Sequence, residues 1–261
     1  MKLRSLTALA WVPLNLGLLY LGGWEWLLWV ALLSISATYE MLVMLRQTGR
    51  VPLPWAGPLF FLLFVVGAWA LPGSAFFLTV GPVLMLSLVL LLVSQSHEGA
   101  FQRWGMTTAG CLYTTFLVAY MILLRDARNG LWWMGAALTG TWVFDTGAYA
   151  IGQLIGRHKL WLAVSPGKTW EGTIGGLIVA VGLAMATVRV LGLSYAEAAG
   201  LGVLIAVLAQ TGDLVESVIK RQVGVKDAGS FLPGHGGILD RIDGLLFSTV
   251  GVYYFALASG R

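Results

Sequence analysis

Along most of its length this chain alternates long apolar runs with short polar connections, and the run length is the first thing to read. Nine stretches are mostly apolar: 6–21, 24–45, 55–71, 75–93, 105–124, 131–151, 173–192, 196–219 and 242–258. Runs of about 17 to 25 such residues cross a hydrocarbon core ~30 Å thick as helices. The pattern therefore predicts an all-α, polytopic membrane protein with about nine transmembrane helices. Lys2 and Arg4 precede the first run, but no small-residue cleavage site follows and the next run begins at once. That run is expected to be a retained membrane helix and not a cleaved signal.

Composition agrees. Hydrophobic residues make up 58% of the 261, charged residues 11%, and mean hydropathy is +0.82. Such a chain has too little polar surface to cover a soluble globule. A net charge of +4 could suggest nucleic acid. The basic residues, however, stand singly beside apolar runs, which is the pattern of membrane topology, and no nucleic-acid partner is expected. With the N-terminus inside, 12 of the 16 basic residues fall on the cytoplasmic side, leaving Arg125, Arg128, Arg189 and Arg261 opposite. The same arrangement puts both long connections, 152–172 and 220–241, on the cytoplasmic face of a cell membrane. The single cysteine, Cys111, excludes an intrachain disulfide or a cysteine metal site.

No linker or repeat divides the chain, so one domain is expected over 1–261. Residues 1–124 would form scaffold helices available for oligomer contacts, and residues 131–261 would carry the chemistry. In the N-terminal part Glu40, within ATYEM, is the exception, and it reads as a carboxylate reaching interfacial water. His97 and His158 read as interfacial.

Seven of the twelve acids lie in or beside the C-terminal cytoplasmic connections: Asp145, Glu171, Asp213, Glu216, Asp227, Asp240 and Asp243. In QTGDLVESVIKR, Asp213, Glu216, Ser217 and Lys220 recur at i, i+3, i+4 and i+7, on one helical face. A Glu216–Lys220 ion pair would explain two of them and leave Asp213; a bound cation would explain the acids together. In LDRIDG, Asp240 and Asp243 open the last run, where an acid can cap a helix or take a hard cation. Asp213 with Asp240 could form such a site, with Asp145, Glu216 and Asp243 as further ligands or supports. The third pattern, VSPGKTWEG, is not a P-loop, because Leu162 stands where the first glycine of that motif belongs. Its Ser165, Lys168 and Thr169 still suit phosphate oxygens. Glycines 229, 234, 236 and 237, with Lys220, Arg221, Lys226 and Arg241, complete a loop fitted to a polyphosphate carried with metal.

These residues resemble the phosphatidate cytidylyltransferases, the CDP-diacylglycerol synthases. The family signature is matched across 27 positions by Ser217, Lys220, Arg221, Lys226, Asp227, Gly229, Leu232, Pro233, His235, Gly236, Gly237, Asp240, Arg241 and Asp243. SPGKTWEG and the Asp145 region extend the likeness over most of the chain. The resemblance implies transfer of the cytidylyl group of CTP to phosphatidate in the membrane, with Mg²⁺, and a homodimer. Potassium is associated with the family as a second cation. Asp213, Asp240, Lys226 and Asp243 would then be catalytic. Ser165, Lys168, Thr169, Ser217, Lys220, Arg221, His235, Gly236, Gly237 and Arg241 would hold the substrates. His235 is not needed as a base, because a phosphate monoester with a second pKa near ~6 is largely ionised at neutral pH. It suits a phosphate, cytosine or turn contact instead.

Two other classes compete. An ion-coupled transporter would share the embedded acids but not the lysine- and glycine-rich loop. Other membrane nucleotide enzymes divide by product: the spaced-aspartate pattern of CDP-alcohol phosphotransferases is absent, and a polyprenol kinase would release a nucleoside diphosphate in place of pyrophosphate.

Overall fold

A computed structural model describes residues 2–49, 52–71, 73–92, 98–229 and 236–260. His97 and His235, with signature residues Leu232 and Pro233, lie outside the described residues. The elements in chain order are α1 (Lys2–Leu21), α2 (Gly23–Arg46), α3 (Ala56–Phe60), α4 (Gly67–Ala70), α5 (Val80–Val89), α6 (Ala100–Cys111), α7 (Leu117–Asp126), α8 (Gly130–Ile155), β1 (Lys159–Trp161), β2 (Ser165–Thr169), α9 (Trp170–Ala186), α10 (Val188–Leu191), α11 (Tyr195–Val223) and α12 (Leu239–Ala258). Wider π-turns at Phe61–Val66 and Leu112–Phe116 join α3 to α4 and α6 to α7, and a 3-10 segment, Gly73–Thr79, leads into α5.

Each of the nine apolar runs falls on a helical stretch among the described residues. Three stretches, Gly23–Arg46, Ala100–Asp126 and Tyr195–Val223, are long and apolar enough to cross a membrane. Ala10–Leu21, Ala56–Ala70, Ala75–Val89 and Trp170–Ala186 are shorter apolar helices. One feature departs from the helical expectation. The connection after α8 folds into an antiparallel hairpin, with Lys159 opposite Thr169 and Trp161 opposite Ser165. Pro166 and Gly167 keep that stretch out of the helix that follows.

The chain forms two compact units, Met1–Leu123 with Val223–Asp240, and Leu124–Gln222 with Arg241–Arg261. The first is centred on aromatic packing. Phe76 stacks on Phe116 with centroids 5.7 Å apart, and Phe64 meets Phe116 edge-on at 5.1 Å. Around the Leu112–Phe116 turn, α2 is fastened by polar contacts inside the apolar core. Thr38 and Thr114 share a 2.8 Å hydroxyl contact, Ser34 donates to the Thr114 carbonyl, and Trp26 donates to the Met121 carbonyl.

In the second unit, buried Phe144, Ala180, Ala206 and Ala209 form the core, with Ala148 and Leu177 packed against them. Helix starts are locally encoded. Thr169 adopts an extended backbone and its hydroxyl accepts the Gly172 N–H, so it caps α9. Ser194 and Glu197 exchange reciprocal hydrogen bonds ahead of α11, a capping box. Small residues let α8 and α9 run close together: a Cβ on Gly147 would lie 3.3 Å from the Gly176 Cα, and one on Gly172 3.1 Å from the Gly152 Cα.

A Cβ at Gly176 would lie 2.6 Å from the Phe144 carbonyl oxygen and 2.9 Å from the Ala148 Cβ, whereas one at Gly182 meets nothing within 4 Å. Gly176→Ala is therefore expected to destabilise by about 1–3 kcal/mol through overpacking. Gly182→Ala should not. Thermal unfolding in detergent checks both, and equal melting points would contradict the packing described.

Candidate active site

The acids of the second unit converge because their helices do. Where α11 passes α12, a Cβ on Gly212 would lie 3.0 Å from the Gly244 Cα, and one on Gly244 3.0 Å from the Ala209 carbonyl oxygen. At Gly212 a side chain would collide with backbone, and at Gly244 it would crowd it, so small residues permit that approach. The residues next to these glycines are Asp213 and Asp243, and Asp213, Glu216 and Asp145 all act on Asp243 as like charges. From α8, Asp145 faces Asp213 as a like charge, with Lys168 and Arg241 as opposite charges. Four carboxylates from three helices thus share one electrostatic neighbourhood.

Cations answer them. Lys168 reaches from β2 to place Nζ 2.7 Å from Asp213 Oδ2, with both side chains partly accessible. Lys220 Nζ lies 2.5 Å from Oε2 of the fully buried Glu216. The Glu216–Lys220 pair, one of the two readings the helical spacing left open, is formed, and Asp213 finds a cation in the SPGKT strand. Ser217 donates to Asp213 Oδ1 at 3.3 Å, and the Gly244 N–H donates to Asp243 Oδ1 at 2.7 Å. Arg221 Nε donates to the Val164 carbonyl at 3.3 Å, tying the end of α11 to the hairpin turn. Ser165 opens β2 and is partly exposed, and Arg241 is exposed at the start of α12. Thr169, expected at a phosphate, is buried and spends its hydroxyl on the α9 cap.

Among the described residues, no three His, Cys, Asp or Glu side chains form a ready-made metal cage. The donors gathered here are carboxylates, with no histidine or cysteine among them. That chemistry fits Mg²⁺, which takes one or two carboxylates and completes its shell with water and phosphate oxygens.

In the first unit, Asp240 accepts the Ala228 N–H at 3.0 Å and the Gly237 N–H at 2.7 Å on Oδ2. Gly236 has φ +77°, the left-handed conformation that favours glycine. Lys226 and Asp227 lie on the exposed or partly exposed segment leading to Ala228. Two carboxylates that sequence reasoning undervalued also hold backbone. Glu40 is buried and not interfacial. Glu171 accepts the N–H groups of Arg157 and His158, and its Oε1 lies 2.6 Å from His158 Nδ1. The only sequence signal for Glu40 was an acid isolated among apolar residues.

A family model described as the cytidylyltransferase family matches residues 2–258. The chain belongs to the cytidylyltransferase family. Among curated relatives, the phosphatidate cytidylyltransferase of Staphylococcus haemolyticus is 35% identical over 255 residues, 95% of each chain. That of Staphylococcus aureus strain COL is 33% identical over 256 residues, again 95% of each. The Bacillus subtilis enzyme of the same name is 39% identical over 179 residues, covering 67% of this chain and 65% of its own. This cytidylyltransferase-family chain is therefore an enzyme, and the near end-to-end matches take in both units.

His158 first, and then backbone donors, hold the partly exposed Glu171 carboxyl down at about 2. Its clamp on the hairpin is therefore fully present above the ordinary carboxylate range and is lost as pH falls through that range toward about 2. Glu171→Gln is expected to speed hydrogen exchange at the Arg157 and His158 amides at neutral pH, with the wild type reaching the same state only in strong acid. Matching exchange in the two proteins would contradict the clamp.

Proposed function

We propose that this enzyme transfers the cytidylyl group of CTP to phosphatidate, forming CDP-diacylglycerol and pyrophosphate at the cytoplasmic face of the cell membrane. The observation that carries the reading is the second-unit cluster, in which Asp145, Asp213, Glu216 and Asp243 meet Lys168, Lys220 and Arg241. Acids matched to a hard cation and bases matched to phosphate oxygens are what two anionic reactants require. The names of the relatives support the choice of CTP and phosphatidate.

In the proposed reaction a phosphatidate oxygen attacks the α-phosphorus in line. The new P–O bond forms as the bond to the bridging oxygen breaks, and pyrophosphate leaves with the electron pair. Lys168 exchanges Asp213 for a phosphate oxygen when substrate arrives, so the resting ion pair holds both groups in place. Lys220, Arg221 and Arg241 share the remaining anionic oxygens, and Lys226 stays a catalytic residue of the reading through the family signature. Mg²⁺, when bound, would neutralise phosphate charge and lower the barrier to attack. Asp213, Asp145 and Asp243 are the residues that would hold it, with Glu216 supporting through Lys220. Asp240 stays a metal-holding candidate of this reading through the family signature, and its carboxylate also accepts the Ala228 and Gly237 N–H groups. Ser217 orients Asp213, and no covalent nucleophile takes part.

The same reading includes nine crossing helices with a cytoplasmic N-terminus, a homodimer, and K⁺ as a second cation. The placement of basic residues supports the orientation.

Purified protein in phosphatidate-containing micelles should release pyrophosphate from CTP only when Mg²⁺ and phosphatidate are both supplied. Asp213→Asn should lower the rate by about 100-fold or more, and Lys168→Met by about 10- to 100-fold, with retention of folding checked by size exclusion. A folded wild type that releases no pyrophosphate would overturn the proposal.

A further inference from the structure

We propose that Glu40, on α2, is a positioning residue for the cytidylyltransferase reaction, its carboxylate holding the two described ends of the signature loop, residues 226–229 and 236–240, in working shape. The proposal rests on the functional reading above. It stands on observations within the first unit alone.

Glu40 is 5% exposed, on a helix whose other acid, Glu25, stands in the first turn. A buried carboxylate is costly unless hydrogen bonds satisfy it. Here Oε1 accepts the Ile238 N–H at 2.9 Å and Oε2 accepts the Leu239 N–H at 2.8 Å. These donors open α12, and the first N–H groups of a helix have no partner within it. An anion at that end is also favoured by the helix dipole. Glu40 thus caps a helix 198 and 199 residues away in sequence.

The same side chain accounts for two small positions of the signature. A Cβ on Gly229 would lie 2.6 Å from Glu40 Oε1, and one on Gly237 would lie 2.6 Å from Glu40 Cδ. The glycines there leave room for the carboxylate to reach the backbone. Asp240 completes the arrangement by accepting the N–H groups of Ala228 and Gly237. Two carboxylates therefore take the N–H groups of Ala228, Gly237, Ile238 and Leu239. A glycine-rich segment left to itself samples many backbone states; this one is fixed at both of its described ends. The hydrogen bonds described for Glu40 go to backbone amides, so it acts through the segment that displays Lys226 and Asp227.

The test is Glu40→Gln, which keeps shape and one carbonyl oxygen but turns an NH₂ group toward one of the two donors. In the phosphatidate micelle assay kcat should fall ~10- to 100-fold, the range expected for losing a charge-assisted hydrogen bond. The KM for phosphatidate should hold and the protein should remain folded by size exclusion and circular dichroism. Amides 237–239 should exchange faster with solvent while those of the aromatic core do not. A second arm uses the glycines: Gly237→Ala should be strongly damaging alone and much less so on a Glu40→Ala background, because the side chain it collides with is gone. Wild-type kcat and exchange in Glu40→Gln would overturn the proposal. So would additive effects of the two alanine substitutions, or a loss of activity that only tracks loss of folded protein. A wild type that forms no CDP-diacylglycerol would overturn the functional reading and the catalytic half of this proposal, while the exchange data still judge whether Glu40 holds the segment.

Discussion

An apolar chain can keep a carboxylate only where something answers its charge, and that requirement organises both units of this enzyme. On α11, Asp213 is answered by Lys168 and Glu216 by Lys220. In the first unit, Glu40 and Asp240 accept backbone N–H groups. The two solutions have different chemical consequences. An ion pair on a partly accessible lysine can be exchanged for a phosphate, whereas a carboxylate saturated by amides fixes the shape of a loop.

Glycine makes the first solution possible. The approach of α11 and α12 at Gly212 and Gly244 brings Asp213 and Asp243 together, and the packing of α8 on α9 sets Asp145 and the SPGKT strand within one compact unit. In a lipid setting helices gain little by burying apolar surface against one another, so backbone proximity through small residues has to supply the packing. The glycines of this unit serve the site as much as the fold.

Much of this was legible in the sequence. Hydropathy located every helical stretch, because run length and apolar content are local properties of the chain. The spacing of Asp213, Glu216, Ser217 and Lys220 foretold one helical face, and the Glu216–Lys220 pair followed from it. The signature and SPGKTWEG pointed to the family that the comparisons show. The partners of Asp213 and Glu40 were not legible, since Lys168 and the amides of Ile238 and Leu239 are brought to them by tertiary folding over long sequence separations. The hairpin was hidden for a related reason: it is short, and its strands are set by Pro166, Gly167 and the Glu171 clamp more than by alternation. Thr169 shows a role the residue type did not announce, its hydroxyl accepting the Gly172 N–H as the cap of α9.

The central claim is that the site moves a cytidylyl group onto a lipid phosphate, and the destination of each phosphorus of CTP tests it most directly. With CTP labelled separately at the α- and γ-positions and purified protein in phosphatidate micelles, the account predicts α-label in the lipid and γ-label in pyrophosphate. Finding γ-label in the lipid, or neither label transferred by folded protein, would contradict it.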